Sequence, residues 1–294
     1  MTDDQTLRLN DGGIIPRIGL GVWKLSRSDT RMAVRHALGH GYRHIDTASI
    51  YANEEGVGQG IRDAGLPRDS LFVSTKVWNA DQGYDATLRA LEQSLTRLQL
   101  SAVDLLLIHW PAQGLGRYID TWRALIEARE QGKARSIGVS NFNHDHLCAI
   151  VEATDVKPAL NQIELHPLLQ QHALCEVHSR LGIATQAWSP LSQGQAFNHP
   201  VVLGLAEKHW RTPAQIILRW HLQRGNIAIP KSITPARIEE NIQVFDFLLD
   251  PQDMAAIASM NTNQRLGPDP ALFTFPRGWA PGCELSRRRA SNAG

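Results

Sequence analysis

The feature that most constrains the fold is a regular alternation of short apolar runs with longer helix-like segments. Eight runs resemble β-strands, at residues 18–22, 43–48, 71–77, 103–110, 135–140, 160–165, 184–189 and 227–231. Some, such as 104–108, are apolar on both faces, which is typical of parallel strands covered by helices. This alternation predicts an α/β fold. Eight units in 294 residues favour a closed (β/α)8 TIM barrel over a doubly wound sheet.

Helical segments are predicted at 29–40, 53–64, 84–98, 118–131, 144–153, 170–181, 201–209, 213–223 and 251–260. Asp29 is a candidate N-cap of the first, and Thr212 before Pro213 has the pattern of an N-cap followed by a first-turn proline. Residues 10–13 (NDGG) lie between two short apolar stretches and predict a β-hairpin cap that precedes the barrel.

Composition argues for a single domain. No linker or change in composition precedes Pro276, so residues 1–275 are predicted to form the barrel. Residues 276–294, with four arginines and one acid, are predicted to be a poorly ordered tail. A net charge of +1 argues against nucleic acid or a membrane as a partner. The polar N-terminus does not resemble a signal peptide, and three scattered cysteines fit a reducing cytoplasm.

Four ionisable side chains lie in or just after three of the predicted strands: Asp46, Tyr51, Lys76 and His109. The carboxyl ends of parallel strands converge on one face of a barrel, where barrel enzymes carry their active sites. Tyr51 could protonate a carbonyl oxygen, with Lys76 lowering the pKa of the phenol and Asp46 holding Lys76. His109 could orient the carbonyl. Each residue taken alone could equally be structural, but their joint occurrence favours carbonyl reduction.

Carbonyl reduction needs a hydride donor, which points to a bound dinucleotide. However, no GxGxxG motif follows a predicted strand. Gly56, Gly58 and Gly60 lie inside a helix-like run and are better explained by close helix packing. The better candidate is the turn at 229–241, which follows the eighth strand and opens a helix. Loops after the last barrel strands commonly bind phosphate, and Lys231, Ser232 and Arg237 add two cations and a hydroxyl. An ordinary surface turn is the alternative.

Two further strand ends are polar, at Ser140–Asn141 and at Gln162. Their side chains could hold a carboxamide, or they could be buried hydrogen-bonded groups of the core. Trp188 could stack on a flat ring or could be a packing residue.

Taken together, these motifs resemble the aldo-keto reductase family. The matching segments are 41–48 (GYRHIDTA), Tyr51 with Asn53 and Glu54, 74–76 (STK), 107–111 (LIHWP), 138–142 (GVSNF), 161–167 (NQIELHP) and 229–232 (IPKS). Trp188 and residues 265–270 (RLGPDP) resemble the bacterial 2,5-diketo-D-gluconate reductase group within it.

The resemblance implies an NADPH-dependent reductase of aldehydes, ketones and dicarbonyls, such as 2,5-diketo-D-gluconate or methylglyoxal. It implies Tyr51 as the general acid, supported by Lys76, Asp46 and His109. The implied cofactor contacts are Ser140, Asn141, Gln162, Trp188, Ser189, Leu191, Lys231, Ser232, Arg237, Glu240 and Asn241. Trp23, Trp78 and Trp110, with Phe273, would line the substrate pocket.

We expect a cytoplasmic monomer that acts on a small-molecule carbonyl and has no resident metal. Two other functions remain open at this point. A regulatory module could bind the cofactor with little turnover, although all four candidate catalytic residues are present. A metal-dependent hydrolase or isomerase would need clustered His and acid ligands at strand ends, and only His109 and Glu164 approach that pattern.

Overall fold

The computed structural model describes residues 5–273. The strands are β1 (Thr6–Arg8), β2 (Ile14–Pro16), β3 (Leu20–Gly21), β4 (His44–Asp46), β5 (Phe72–Val77), β6 (Val103–Ile108), β7 (Ala134–Ser140), β8 (Leu160–Glu164), β9 (Ala184–Trp188) and β10 (Ile227–Ala228). The helices are α1 (Arg27–Gly39), α2 (Glu54–Ala64), α3 (Tyr84–Leu98), α4 (Tyr118–Glu130), α5 (His144–Thr154), α6 (His172–Leu181), α7 (Pro200–His209), α8 (Pro213–Gln223), α9 (Pro235–Ile242) and α10 (Pro251–Ala258).

Strands β3 to β10 form an eight-stranded parallel sheet in chain order. The first and last strands then meet: Gly19 N–H donates to the Ala228 carbonyl at 2.9 Å, and Gly21 N–H donates to the Pro230 carbonyl at 3.0 Å. The sheet is therefore closed, which confirms the predicted (β/α)8 barrel. β10 is short because Pro230 has no N–H with which to continue the ladder.

The predicted N-terminal hairpin is present as the antiparallel pair β1 and β2. Leu9 and Ile15, from the hairpin region, share a buried cluster with Leu105, Leu107 and other strand residues. Several members of this cluster, including Phe72, Leu160 and Ile227, begin their strands, so the hairpin caps the amino-terminal end of the barrel.

The helices cover the barrel as predicted, with a few differences. Asp29 does not cap α1, because Ser26 accepts the Asp29 N–H at 3.1 Å and is itself the N-cap. Thr212 caps α8 as expected. The segment from Pro235, predicted only to begin a helix, forms the complete helix α9. Within residues 5–273, no helix combines the length and hydropathy that crossing a bilayer needs. The tail predicted at 276–294 lies outside the described residues.

The three glycines of α2 confirm the close-packing interpretation. A Cβ on Gly56 would lie 2.4 Å from the Arg27 carbonyl oxygen, and one on Gly58 would lie 2.2 Å from the Leu98 carbonyl oxygen. The helix can approach α1 and α3 this closely only because these positions have no side chain.

Candidate active site

The centre of the site is a buried ion pair between two neighbouring strands. Lys76 Nζ donates to Asp46 Oδ2 at 2.6 Å and to the Thr47 carbonyl at 2.8 Å, and both charged side chains are almost fully excluded from solvent. The other oxygen of Asp46 accepts from Ser74 Oγ at 2.8 Å and from Gln162 Nε2 at 3.0 Å. The carboxylate is thus held by donors from β5 and β8 as well as by the ammonium.

Tyr51 lies in the short turn that follows β4, Ser49–Tyr51. The turn is fixed from both sides. Ser49 Oγ donates to the Lys76 carbonyl at 3.0 Å. Asn53 donates to the Val22 carbonyl at 2.9 Å and accepts from Thr47 Oγ1 at 3.0 Å. The result places Lys76 Nζ 5.3 Å from the centre of the Tyr51 ring.

His109 follows β6 directly and completes the group. Its ring centre is 5.7 Å from that of Tyr51 and 5.0 Å from that of Trp78, both in edge-on contact. Burial, together with the Lys76 ammonium, holds the pKa of His109 well below its usual value, so the imidazole is neutral at physiological pH. Among the described residues, its buried Nδ1 has no hydrogen-bond partner.

The structure therefore brings Asp46, Tyr51, Lys76 and His109 together at the carboxyl end of the barrel. One expectation about them is wrong. The pKa of Tyr51 is not lowered: burial, reinforced by the Asp46 carboxylate, raises it well above the usual value of a phenol. Burial is the larger cause, because a charged phenolate would lose its hydration in this position. Tyr51 is consequently a fully protonated donor.

The polar strand-end residues are close to one another, but they are bonded mainly among themselves. Ser140 Oγ donates to the Gln162 carbonyl at 2.9 Å, and Gln162 Nε2 is shared between Asp46 and Gln186. Asn141 Nδ2 donates to the His109 carbonyl at 2.9 Å, while its Oδ1 accepts Trp188 Nε1–H at 2.8 Å. Asn141, which has a left-handed backbone, therefore orients Trp188 and is itself already satisfied.

Trp188 is partly exposed at the end of β9. Ser189 and Leu191, also partly exposed, follow it in a turn in which Ser192 N–H donates to the Ser189 carbonyl at 2.9 Å. A Cβ on Gly267 would lie 2.5 Å from Trp188 Cη2, so the segment after α10 packs against the indole only because this residue is glycine.

Glu164 binds the segment that follows α10 to the barrel. Its carboxylate, on the last residue of β8, accepts the Leu266 N–H at 2.5 Å and the Gly267 N–H at 3.1 Å. The side chain is fully buried and also contacts His166 Nε2 at 3.1 Å. The sequence pattern around Glu164 suggests only a possible metal ligand. Its structural partner lies about a hundred residues away, and no local pattern identifies such a partner.

The turn after β10 presents an exposed basic surface. Lys231 and Arg237 are exposed, whereas Ser232 is buried and its Oγ accepts the Thr234 N–H at 3.1 Å. Thr234 is the N-cap of α9 but provides no side-chain cap, so amides in the first turn have no side-chain acceptor from the cap.

Two other residues of α9 that were expected to contact the cofactor are less accessible. Asn241 is 4% exposed, and Glu240 accepts from Thr212 Oγ1 at 2.5 Å.

The aromatic residues expected around the substrate are only partly assembled. Trp78 contacts His109, and the ring centres of Trp110 and Phe273 are 4.6 Å apart. Trp23 follows β3 and is 42% exposed, with Lys24 Nζ over its ring at 4.1 Å.

Three supporting residues were not identified as such from the sequence: Asn53, Glu54 and Ser74. Glu54 accepts from Thr75 Oγ1 at 2.6 Å and from Arg97 Nε at 2.7 Å, which joins α2 to β5 and to α3. Ser74 is buried on the inner face of β5. Ser74 is one of several polar residues in β5, and Asn53 and Glu54 lie at the start of a helix; neither pattern reveals the bonding partner.

Comparison with known proteins agrees with this geometry. The family model described as "Aldo/keto reductase family" matches residues 17–262. An aldo-keto reductase of Mycolicibacterium smegmatis is 54% identical over 269 residues, which are 92% of this chain and 98% of the relative. Methylglyoxal reductase DkgA of Yersinia pestis is 50% identical, covering 94% of this chain and 100% of the relative.

A solved structure of a Gox0644 mutant in complex with NADPH superposes with a TM-score of 0.89 at 48% identity, covering 92% of this chain and 98% of that one. The similarity extends over nearly the whole barrel in both sequence and structure. The family predicted from the motifs is thereby confirmed, and this chain belongs to the aldo/keto reductase family.

Proposed function

We propose that the protein is an NADPH-dependent reductase of aldehydes, ketones and dicarbonyls, with Tyr51 as the general acid. The observation that carries the proposal is the convergence of a protonated phenol, a neutral imidazole and a buried Lys76–Asp46 pair at one end of the barrel. Family membership and the NADPH complex of a relative that is 48% identical support the choice of cofactor.

The residues at the barrel mouth fit such a cofactor. Trp188 is a partly exposed ring, oriented by Asn141, on which a flat heterocycle can stack. Ser140 and Gln162 lie on the neighbouring strands β7 and β8, and Ser189 and Leu191 follow Trp188 in the chain. Lys231, Ser232 and Arg237 would hold the phosphate, with Glu240 and Asn241 near the adenine. When bound, NADPH supplies the hydride to the carbonyl carbon.

The proton comes from Tyr51. Its raised pKa keeps the phenol protonated across the physiological range, so proton transfer depends on the negative charge that develops on the carbonyl oxygen. As negative charge develops on the carbonyl oxygen, the O–H transfers its proton, and the nearby Lys76 ammonium stabilises the resulting phenolate. Asp46 keeps Lys76 positioned in a site where burial lowers its pKa.

His109 orients the substrate. A neutral imidazole carries one N–H and one acceptor, and burial beside Lys76 lowers its pKa and keeps it neutral. The N–H can donate to the carbonyl oxygen without competing with Tyr51 for proton transfer. Trp78, Trp110 and Trp23 would provide an apolar surface around a small substrate. Methylglyoxal, for which the Yersinia pestis relative at 50% identity is named, and 2,5-diketo-D-gluconate are the first substrates to assay.

Tyr51→Phe tests the role of the donor. General acids typically contribute about 100- to 10,000-fold, so kcat should fall by that factor, while NADPH binding stays close to the wild-type value. Tyr84→Phe is a matched control, because it removes the hydroxyl of an exposed tyrosine on α3. NADPH oxidation with methylglyoxal, with and without a chelator, is the assay. A Tyr51→Phe enzyme with half the wild-type kcat would refute the assignment.

Two expectations about the cellular context remain part of the proposal. Cys148 and Cys175 are free thiols, as a reducing cytoplasm would keep them. A monomeric state is proposed as well, and sedimentation would measure it.

A further inference from the structure

A cluster of two histidines and a glutamate lies outside the candidate active site, between α1 and α9. His36 and His40 are one turn apart at the carboxyl end of α1, and Glu239 faces them from α9. His36 Nε2 is 2.8 Å from Glu239 Oε1, and His40 Nε2 is 3.5 Å from the same oxygen. In the part of the chain that the structure describes, this is the one group of three such ligands whose atoms all lie within 4.8 Å of one another.

The spacing matches a metal coordination sphere. Zn²⁺ binds imidazole nitrogen at about 2.0–2.1 Å and carboxylate oxygen at about 2.0–2.2 Å, so two ligands of a tetrahedral ion are roughly 3.4 Å apart. The two nitrogen–oxygen distances of the cluster, 2.8 and 3.5 Å, lie on either side of that value. Small rotations of these partly exposed side chains, which would move the ligand atoms by a few tenths of an ångström, would make the two distances equal.

The hydrogen bonding of His40 is the arrangement that a metal ligand requires. His40 Nδ1 is 2.8 Å from the His36 carbonyl oxygen, which has no proton to give, so Nδ1 carries the hydrogen and donates it. In the neutral ring Nε2 carries the lone pair, and this atom lies 3.5 Å from Glu239 Oε1. Metal-binding histidines almost always donate their second ring N–H to a backbone carbonyl or a carboxylate in this way.

Location adds an electrostatic contribution. The last turn of a helix carries a partial negative charge, which stabilises a cation beside it. The three side chains are 27%, 43% and 40% exposed for His36, His40 and Glu239, so an ion could enter and keep a water molecule as its fourth ligand. An ordinary ion pair between His36 and Glu239 would not require the second imidazole or its orientation.

We propose that His36, His40 and Glu239 form a binding site for a divalent transition-metal ion of the Zn²⁺ class, which clamps α9 to α1. Two imidazoles and one carboxylate suit Zn²⁺, Ni²⁺ or Cu²⁺, whereas Mg²⁺ prefers an all-oxygen shell. The site is distinct from the candidate catalytic residues, because none of its ligands belongs to the Asp46–Tyr51–Lys76–His109 group.

The test is a Zn²⁺ titration of metal-free full-length protein against a chromophoric chelator. We expect one equivalent to bind to the wild type, and His36→Ala and His40→Ala each to weaken binding by about tenfold or more, comparable to the effect of losing a supporting ligand contact. His144→Ala is the matched control, since it removes an exposed imidazole from α5 and leaves the cluster intact. Its affinity should equal that of the wild type.

Two further measurements separate a real site from general damage. Co²⁺ bound to the wild type should show visible absorption bands that are absent from His36→Ala. Zn²⁺ should raise the thermal unfolding midpoint of the wild type and of His144→Ala, but not that of His40→Ala. Because all three ligands are partly exposed, the variants should fold. No Zn²⁺ binding by the wild type, or equal binding by the wild type and both cluster variants, would overturn the proposal.

Discussion

Replacing one member of the buried Asp46–Lys76 pair should destabilise the protein more than replacing a neutral side chain that donates to the same carboxylate. The two side chains are excluded from solvent and joined at 2.6 Å. Removing one partner of a buried ion pair leaves an uncompensated charge and typically costs about 3–5 kcal/mol. We expect losses of this size for Asp46→Asn and for Lys76→Met in urea unfolding at pH 7.

The geometry explains why even the conservative Asp46→Asn change should be costly. All three side chains that contact the carboxylate are donors: Lys76 Nζ, Ser74 Oγ and Gln162 Nε2. An asparagine NH₂ group must face at least one of them, donor against donor. Ser74→Ala is the control, because it removes one hydrogen bond from a neutral donor to the same carboxylate and should cost about 1.5–3 kcal/mol while both charges remain.

A double-mutant cycle measures the coupling directly. In Asp46→Asn/Lys76→Met neither charge remains, so the double variant should be only about as unstable as either single one, with a coupling energy of about 2 kcal/mol or more. Additive effects, within about 0.5 kcal/mol, would refute the argument that the two charges stabilise each other.

The pH dependence gives an independent check on Asp46→Asn. Burial lowers the pKa of Lys76, and Asp46 opposes that effect, so the variant should lower the pKa further. Between the lowered pKa of the folded state and the unfolded lysine pKa of about 10.4, the unfolded chain then binds more protons than the folded one. Stability should therefore recover as pH rises from 7 towards 9.5, by up to about 1.4 kcal/mol per pH unit. A loss of stability in Asp46→Asn that stays constant between pH 7 and about 9.5 would contradict this role of Lys76.

Three other outcomes are expected. Arg237→Ala should weaken NADPH binding about 10- to 100-fold and leave NADH binding nearly unchanged in tryptophan-quenching titrations, since a hydrogen bond to a charged group contributes about 1.5–3 kcal/mol; equal losses would exclude a 2′-phosphate site. Trp188→Phe should cost about 1–3 kcal/mol in urea unfolding by leaving Asn141 Oδ1 unpaired. Burial lowers the pKa of His178 to about 4, so the unfolded state binds a proton that the folded state does not between pH 6.5 and 4, and the protein should lose about 3 kcal/mol of stability over that range. His178→Asn should reduce this loss of stability at low pH, whereas His144→Asn should not.

Much of the barrel could be predicted because its signals are local. Strands β5 and β6 are buried on both faces, as strands between a barrel interior and a helical layer must be, and the run from Leu105 to Ile108 in β6 is apolar throughout. Thr212 and Pro213 mark a helix start by their own conformational preferences. The hairpin at residues 6–16 follows from a turn sequence flanked by apolar residues.

Hydrogen bonding within the site could not be predicted in the same way. Asn141 and Gln162 were expected to be available to a ligand, yet one orients Trp188 and the other supports Asp46. Which partner an amide finds depends on sheet register and on which side chains share the inner face, and these are set only when the barrel closes.

The sequence by itself determined the order of strands and helices, and with it the positions of Asp46, Lys76 and His109 at the ends of successive strands. Periodicity and turn chemistry act over a few residues, so they can be read along the chain. Only the tertiary structure decided that Tyr51 keeps a raised pKa, that Glu164 holds residues 266 and 267, and that His36 and His40 meet Glu239. Burial and long-range contacts determine these properties, and both depend on how distant segments pack.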